Sequence, residues 1–274
     1  MTSCAGDMDA QELERRIAAC RGWQYEFEFA DGVRTPVLTQ ALVNRQRQRY
    51  RYFFDALLRV CGGSLSGRRV LDLGCNAGFW SLAAVDAGAE FVLGVDAGER
   101  YIEQAELVFE AKGVAPARYR FERANVLQDE LQGHFDVVLC LGLLDHVARP
   151  FELFERMART GAELLVIDTE VSRARLSVFE LARLYNADDA VEYPLVLVPS
   201  RSAVLELAAQ FGFDALALAP AITDYTGMSD YRRERRLAFI CSRETPLAGV
   251  TPAPARSRVP WWVRDPRALF SALR

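Results

Sequence analysis

Lysine is nearly missing from this chain. Of 33 basic residues only Lys112 is a lysine, and the others are arginines. A bias this complete reads as a coding preference, so abundant arginine does not by itself argue for an anion-binding protein. Histidine is equally scarce, with His134 and His146 alone among 274 residues. The six cysteines (4, 20, 61, 75, 140 and 241) form no C-x-x-C pair and no metal-ligand spacing with either histidine. That excludes a zinc site of the common spacings and leaves reduced thiols as the expectation. No apolar run reaches the ~18 residues of a membrane span. The opening "MTSCAGDMDAQELERR" lacks the apolar core of a signal peptide. A cytoplasmic protein with no membrane partner is therefore expected. A net charge of −4 gives no support for nucleic-acid binding through global charge, although a local basic groove stays open.

What is present fits one large domain with extensions. Hydrophobic residues make up 51% of the chain and charged residues 26%, ordinary values for a globular protein. Residues 1–65 read as a helical cover and substrate-side segment. Within it, 9–20 form a short amphipathic helix with Leu13 and Ile17 four apart, and "WQYEFEFADGVRTP" (23–36) alternates like a strand. A helix over 41–60 turns Phe53, Leu57 and Val60 inward, and its Arg and Gln residues read as a solvated face.

From residue 66 to 243 strands and helices alternate, which calls for a doubly wound, mostly parallel sheet with helices on both faces. "FDVVLCLGLL" is almost continuously apolar, as a central strand covered on both sides should be. Residues 171–200 break the rhythm and read as an inserted lid containing a helix, "LSVFELARLY". Residues 244–274 form a proline-rich tail. Its adjacent Trp261 and Trp262 would be costly to leave exposed, so they are expected to pin the tail to this chain or to a second subunit of a homodimer.

"VLDLGCNAGF" follows a strand and opens a helix. Gly74 and Gly78 let backbone approach a ligand where a Cβ would collide, and the helix start offers unpaired N–H groups. Asn76 stands where a dinucleotide motif has its middle glycine, and asparagine tolerates the left-handed backbone better than most residues. Asp96 ends the next strand, at "LGVD", where a carboxylate can accept hydrogen bonds from both hydroxyls of a ribose.

With these elements in order, "VLDLGCNAGFWSLAAVDAGAEFVLGVD" resembles the cofactor core of class I S-adenosylmethionine-dependent methyltransferases. The likeness covers roughly residues 66–170. It implies a seven-stranded Rossmann-like sheet and S-adenosylmethionine as cofactor. Asp72 to Gly78, with Gly74, Cys75 and Asn76 between them, would face the methionine part, Asp96 would hold the ribose, and Ala124 to Val126, with Asn125 between them, would flank the adenine. Phe79, Ala97 and Leu141 are further cofactor-binding candidates. A finer likeness joins "WQYEFEFADGVRTP" and "LGLLDHVARP" to the branch that includes tRNA wobble-uridine carboxymethyltransferases, through Trp23, Gly32, Thr35, Pro36, Gly142, Leu144 and His146. Two departures stand against its carboxylated cofactor. Asp145 replaces a tyrosine before the histidine, and no lysine lies upstream of the glycine loop. Ordinary methyl transfer is the expectation.

His146 sits at the carboxyl end of the fourth strand, where ligands of open α/β sheets bind. Methyl transfer to a hydroxyl needs a base to take its proton, and an imidazole of ordinary pKa about 6.5 is matched to that role. His146 and Asp145 are therefore the candidate catalytic pair, with Asp145 orienting the ring or touching the acceptor. The plain alternative is a histidine that caps a turn and packs beside the cofactor. His134 reads as solvated. Asp145 with Asp168 could hold a divalent metal, although no third ligand is in view. Trp23, Tyr25, Trp80, Tyr185, Tyr225 and Tyr231 could form an aromatic acceptor pocket, or lie in the core. "YRRERR" (231–236) offers an anion site or a solvated charged face. The expected acceptor is a hydroxyl of a small metabolite, with a sugar or glycoside favoured. The rivals are an RNA acceptor, an NAD-dependent enzyme and a cofactor-binding protein without chemistry.

Overall fold

The computed structural model describes residues 8–183 and 195–254. Helix α1 (Ala10–Ala19) starts where the Asp9 carboxylate accepts the Glu12 amide at 2.7 Å, satisfying one orphan donor of the first turn. Leu13 and Ile17 are buried as their spacing requires. Residues 23–36 do not form a regular strand. One bridge joins Glu28 to Arg34 across a tight turn at Ala30–Gly32, in which Asp31 takes a φ of 56°. The alternation there serves a closed loop: the Phe27 amide donates to Thr35 Oγ1, which donates to the Tyr25 carbonyl.

Residues 40–60 make one helical run, α2 (Gln40–Arg49), a π-turn (Tyr50–Phe54) and α3 (Asp55–Val60). The π-turn holds one extra residue, so the inward face shifts across it. Phe53 and Phe54 within it and Leu57 beyond it are fully buried. Before it, the polar side of α2 is not the solvated face its sequence implies. Asn44 donates to the Thr226 carbonyl at 2.8 Å and Arg45 pairs with Asp230 at 2.6 Å. Gln48 accepts the Thr223 amide at 3.0 Å, and Arg49 is buried. The helix docks its polar residues onto the 223–230 segment.

The sheet contains β1 (Arg69–Leu73), β2 (Phe91–Asp96), β3 (Tyr119–Arg123), β4 (Val137–Leu141), β5 (Leu164–Glu170), β8 (Asp214–Ala217) and β9 (Arg236–Ser242). A separate hairpin is built from β6 (Phe179–Arg183) and β7 (Leu195–Pro199). The seven-stranded order is β3-β2-β1-β4-β5-β9-β8, parallel through β5, with β9 antiparallel to both β5 and β8. Helices α4 (Phe79–Asp86), α5 (Glu99–Ala111), α6 (Pro150–Arg159) and α7 (Arg201–Gln210) cover it, and α8 (Ser229–Arg232) leads into β9. Period-two alternation splits the core: Val70 joins Trp80, Val108 and Phe109 on one face, and Leu71 joins Phe154, Met157 and Val204 on the other. All five residues of β4 are buried, as its apolar run implies.

The reversal at β1 and β4 places the crevice above the carboxyl ends of these strands, beside the glycine loop. Two expectations fail here. The stretch read as a helix from residue 176 is extended as β6, because pairing with β7 supplies partners that outweigh a modest helical propensity. The tail does not begin at 244, since the Ala253 amide bonds the Ala217 carbonyl at 2.7 Å and the Ala219 amide bonds Thr251 at 2.8 Å. Residues 250–254 thus belong to the fold. Tyr185, Trp261 and Trp262 lie outside the described residues.

Candidate active site

The glycine loop is a backbone device. Gly74, Asn76 and Gly78 take φ values of 71°, 50° and 77°, so Asn76 fills the left-handed position that a middle glycine would occupy. The Gly74 and Cys75 amides both bond the Val95 carbonyl, at 2.8 and 3.0 Å, which ties the loop to β2. A Cβ on Gly74 would meet only Leu143, at 3.6 Å, so strain there would come from φ alone. A Cβ on Gly78 would also lie 3.1 Å from both Ala105 and Phe121. Gly78 caps α4 without a side-chain acceptor, which leaves the first-turn amides available to a ligand.

Two carboxylates flank the loop. Asp96, at the tip of β2, accepts the Asn76 amide at 3.0 Å on one oxygen and the Gly98 amide at 2.9 Å on the other. Burial raises its pKa while these amides oppose the shift. Each oxygen keeps a lone pair for a second donor. Asp72, at 1% exposure, accepts the Ser81 hydroxyl at 2.7 Å on Oδ2, and its Oδ1 has no partner among the described residues. Burial pushes its carboxyl up to about 7 despite the Ser81 bond. An orphaned buried acceptor under a glycine loop calls for a donor from outside the chain.

The other expected cofactor residues fall around this centre. The Ala124 amide bonds the Asp96 carbonyl at 3.0 Å, which brings Asn125 and buried Val126 beside the end of β2. Ala97 is exposed next to Asp96, Leu141 ends β4, and half-buried Phe79 stacks on Tyr25 at 5.0 Å. Cys75 departs from expectation. Its side chain is 1% exposed, with Sγ 3.1 Å from where a Cβ on Gly94 would sit, and burial raises its thiol pKa strongly. Only its backbone belongs to the loop.

The segment after β4 turns back over the loop. Leu143 packs against Gly74, and the His146 amide closes a turn onto the Leu143 carbonyl at 2.8 Å. The His146 side chain is 38% exposed, so its ring reaches solvent from a turn whose Leu143 lies beside Gly74. Asp145 does not orient it by a hydrogen bond, because Nε2 lies 3.6 Å from Asp145 Oδ2. Asp145 is buried; its Oδ1 accepts the Thr169 hydroxyl at 3.1 Å, and its Oδ2 faces Arg236 Nη1 at 3.6 Å. It belongs to a charge cluster beneath the turn.

At the centre of that cluster is Asp168, fully buried at the end of β5. It accepts Arg49 Nη2 at 2.8 Å, Arg236 Nε at 3.0 Å and the Tyr231 hydroxyl at 2.7 Å. Burial pushes its carboxyl up, but Arg236, Arg49 and the Tyr231 bond outweigh that and hold it below the usual carboxylate range. The Arg49 guanidinium lies 5.3 Å from the ring centres of both Phe53 and Trp80. Two guanidinium groups on Asp168 make it a poor ligand for a divalent cation, and no group of three or more His, Cys, Asp or Glu with metal-binding geometry occurs among the described residues. The pairing of Asp145 with Asp168 around a metal is thereby corrected.

Half of the expected aromatic pocket is core instead. Trp23 donates to the Ile17 carbonyl, Trp80 is 2% exposed, and Tyr231 is committed to Asp168. Tyr25 and Tyr225 are half-buried. His134 is exposed before β4, at the opposite end of the sheet. Of the run 231–236, residues 232–235 are exposed and Arg236 is buried. Arg49 and Arg236 escape detection in sequence because each looks like the arginines beside it. A cavity of about 370 Å³ lined by Asp214, Leu216, Arg243 and Leu247 lies at the far end of the sheet from this site.

A methyltransferase-domain family model matches residues 45–218, well over half of the chain. The chain belongs to this family, and its sheet is that of the class I S-adenosylmethionine-dependent methyltransferases. It is 34% identical over 145 residues to a ubiquinone biosynthesis O-methyltransferase of Bordetella avium (strain 197N), covering 53% of each chain. It is 38% identical over 104 residues to the enzyme of that name from Pseudomonas fluorescens (strain SBW25), covering 37% of this chain and 44% of the relative. The chain thus spans about half the length of these curated relatives. They carry the O-methyltransferase name and not that of the wobble-uridine branch. In fold, the chain is similar to the N-terminal domain of EvdMO1 in the presence of SAH and D-fucose, with a TM-score of 0.67 and 22% identity, covering 88% of this chain and 99% of that one. No helix among the described residues is long and apolar enough to cross a membrane.

Proposed function

We propose that this protein uses S-adenosylmethionine to methylate a hydroxyl oxygen of a small metabolite, with a sugar or glycoside favoured, and that His146 takes the hydroxyl proton. The observation that supports this reading is the contact of Leu143 with Gly74, which brings the turn that carries the part-exposed His146 to the edge of the glycine loop. The residues fit the cofactor. Orphaned Asp72 Oδ1 suits the ammonium of its amino-acid part, the free lone pairs of Asp96 suit ribose hydroxyls, and the α4 amides suit its carboxylate. When bound, the cofactor supplies an electrophilic methyl group on a sulfonium. Asp72 and Asp96 would orient it, and the His146 imidazole would accept the proton of the acceptor hydroxyl. Most of the rate gain comes from this positioning. Asp145, partnered by Arg236 and Thr169, supplies a fixed negative charge near the imidazolium that forms.

The relatives' shared name supports oxygen as the acceptor atom, and the sugar present with EvdMO1 supports a sugar hydroxyl as a substrate class to try first. A second reading, a hydroxyl on a ubiquinone precursor, is favoured by the curated relatives at 34–38% identity. The test is methyl transfer from labelled cofactor into fractionated cell extract, separated into small polar molecules, lipids and RNA. Label in polar small molecules supports the first reading, label in the lipid fraction the second. Label in RNA alone would refute both. Calorimetric titration with S-adenosylmethionine and with NAD separates the cofactor classes.

A further inference from the structure

We propose that the acceptor carries an oxyanion, a carboxylate or a phosphate, and that the arginine turn 232–235 at the rim of the crevice holds it. The inference rests on the reading of a small-molecule hydroxyl acceptor and names the class of molecule that bears the hydroxyl. The turn is clamped at both ends to one buried carboxylate. The Tyr231 hydroxyl donates to Asp168 at 2.7 Å, and Arg236 Nε donates to the same side chain at 3.0 Å. Between these anchors Arg232, Arg233, Glu234 and Arg235 are all exposed, and Glu234 takes a φ of 53°. The segment after β5 is laced to the turn: the Val171 amide donates to the Arg235 carbonyl at 2.7 Å, and Arg173 donates to the Arg233 carbonyl at 3.1 Å. Arg173 and Arg175 are exposed as well. A turn held at both ends loses little further backbone freedom when it takes a ligand.

These arginines lack the partners that helix α6 gives its own, where Arg149 pairs with Glu152 at 2.8 Å and Arg159 with Glu155 at 2.7 Å. Among the described residues no carboxylate pairs with Arg173, Arg175, Arg232, Arg233 or Arg235. Asp230 beside the turn is taken by Arg45 at 2.6 Å, and Glu170 and Glu234 are the other acids of segments 170–175 and 229–236. Positive charge is thus gathered here in a chain whose net charge is −4. A guanidinium presents a fixed fork of donors that matches the edge of a carboxylate or phosphate, and a group of them at a crevice raises the local concentration of anions. The turn also lies within reach of the candidate base. β5 ends and β9 begins at the crevice, and β9 stands two strands from β4, about 10 Å at the usual spacing. Arg236 Nη1 lies 3.6 Å from Asp145 Oδ2, which lies 3.6 Å from His146 Nε2. A sugar ring with an acidic substituent can set a hydroxyl at His146 and its charge at the turn.

Two measurements test this. Small polar molecules of cell extract, labelled from the cofactor and freed of its residue, are passed over an anion exchanger at neutral pH. We expect the methyl label to be retained. Treatment with phosphodiesterase and phosphatase should release it if the oxyanion is a phosphate, and leave it bound if it is a carboxylate. Label that flows through, or that partitions with lipids, would overturn the proposal and leave methyl transfer intact. Label in RNA alone, or in no small molecule, would remove both. With the retained material as acceptor, Arg232→Ala/Arg233→Ala/Arg235→Ala should raise KM by about tenfold or more, as expected for the loss of a charge-assisted hydrogen bond, with kcat and S-adenosylmethionine affinity held. Arg232→Lys/Arg233→Lys/Arg235→Lys should recover part of that loss. Inorganic phosphate should compete with the acceptor and not with the cofactor, and the alanine variant should lose this inhibition. An unchanged KM in an alanine variant that still binds S-adenosylmethionine would overturn the proposal by placing the anion elsewhere.

Discussion

The two sides of the crevice are held by different physics. On the β1–β2 side the glycine loop is fixed by its own backbone amides, Gly74 and Cys75 on the Val95 carbonyl and Asn76 on the Asp96 carboxylate, which also takes the Gly98 amide of the next turn. On the β4–β5 side the His146 turn rests on buried ions from distant parts of the chain. Arg49 and Asp168 are 119 positions apart, and Arg236 and Asp168 are 68 apart. The first side is built to present backbone to a ligand. The second keeps charges in place under the His146 turn. A change on the first side should act on binding, and a change on the second should act on stability or turnover.

The largest effect is expected at His146. If it accepts the acceptor proton, His146→Ala should lower turnover by ~10²–10⁴ and leave cofactor affinity nearly unchanged. Steady-state rates at saturating cofactor check this. Near-normal turnover would reduce His146 to a packing residue and remove the chemical side of the contrast. Asp145→Asn should cost less, because Asp145 makes no hydrogen bond to the ring.

Next comes the charge cluster. Asp168→Ala leaves Arg49 and Arg236 buried without their shared carboxylate, and the loss of one partner from a buried ion pair costs about 3–5 kcal/mol. Urea unfolding should show that loss. A change below about 1 kcal/mol would mean that the cluster is hydrated and contributes little.

This contrast also explains what the sequence discloses. The loop is legible because a left-handed backbone selects Gly and Asn at fixed spacing, and because Asp96 acts on amides close to it in the fold. The central strand β4 is legible because burial on both faces demands an apolar run. Arg49 and Arg236 are illegible: each is one arginine in a run, and only its partner on β5 distinguishes it. The π-turn after Arg49 adds a residue that periodicity cannot foresee. β6 reads as a helix because its register is fixed by β7, beyond the reach of local propensity.

A smaller effect sharpens the backbone side. Asp96→Ala removes the acceptor for the Asn76 loop amide and the Gly98 amide as well as the proposed ribose contact, and should weaken S-adenosylmethionine binding by about 1–3 kcal/mol. Titration calorimetry on the folded variant measures it. Unchanged affinity would show that the loop keeps its shape without the carboxylate and that Asp96 touches no ligand.

The smallest effect is a pH dependence, and its sign separates structure from binding at Asp72. Burial holds its folded carboxyl at about 7, above the unfolded value. A raised carboxyl pKa means that the native state holds the proton more tightly. The protonated form is the stabilised one, and that contribution is lost as pH climbs from the unfolded pKa to about 7. Cofactor binding should run the other way. An ammonium at Oδ1 favours the ionised carboxylate, so affinity should rise as pH increases towards about 7, by at most about tenfold per pH unit, with proton release on binding. In Asp72→Asn the free protein should lose the stability slope over this range, and the affinity should become flat with pH. Calorimetry in buffers of different ionisation enthalpy counts the released proton directly. If affinity in the unaltered protein is already flat across this window, Asp72 does not meet the cationic end of the ligand, and its orphaned oxygen is a feature of the fold alone.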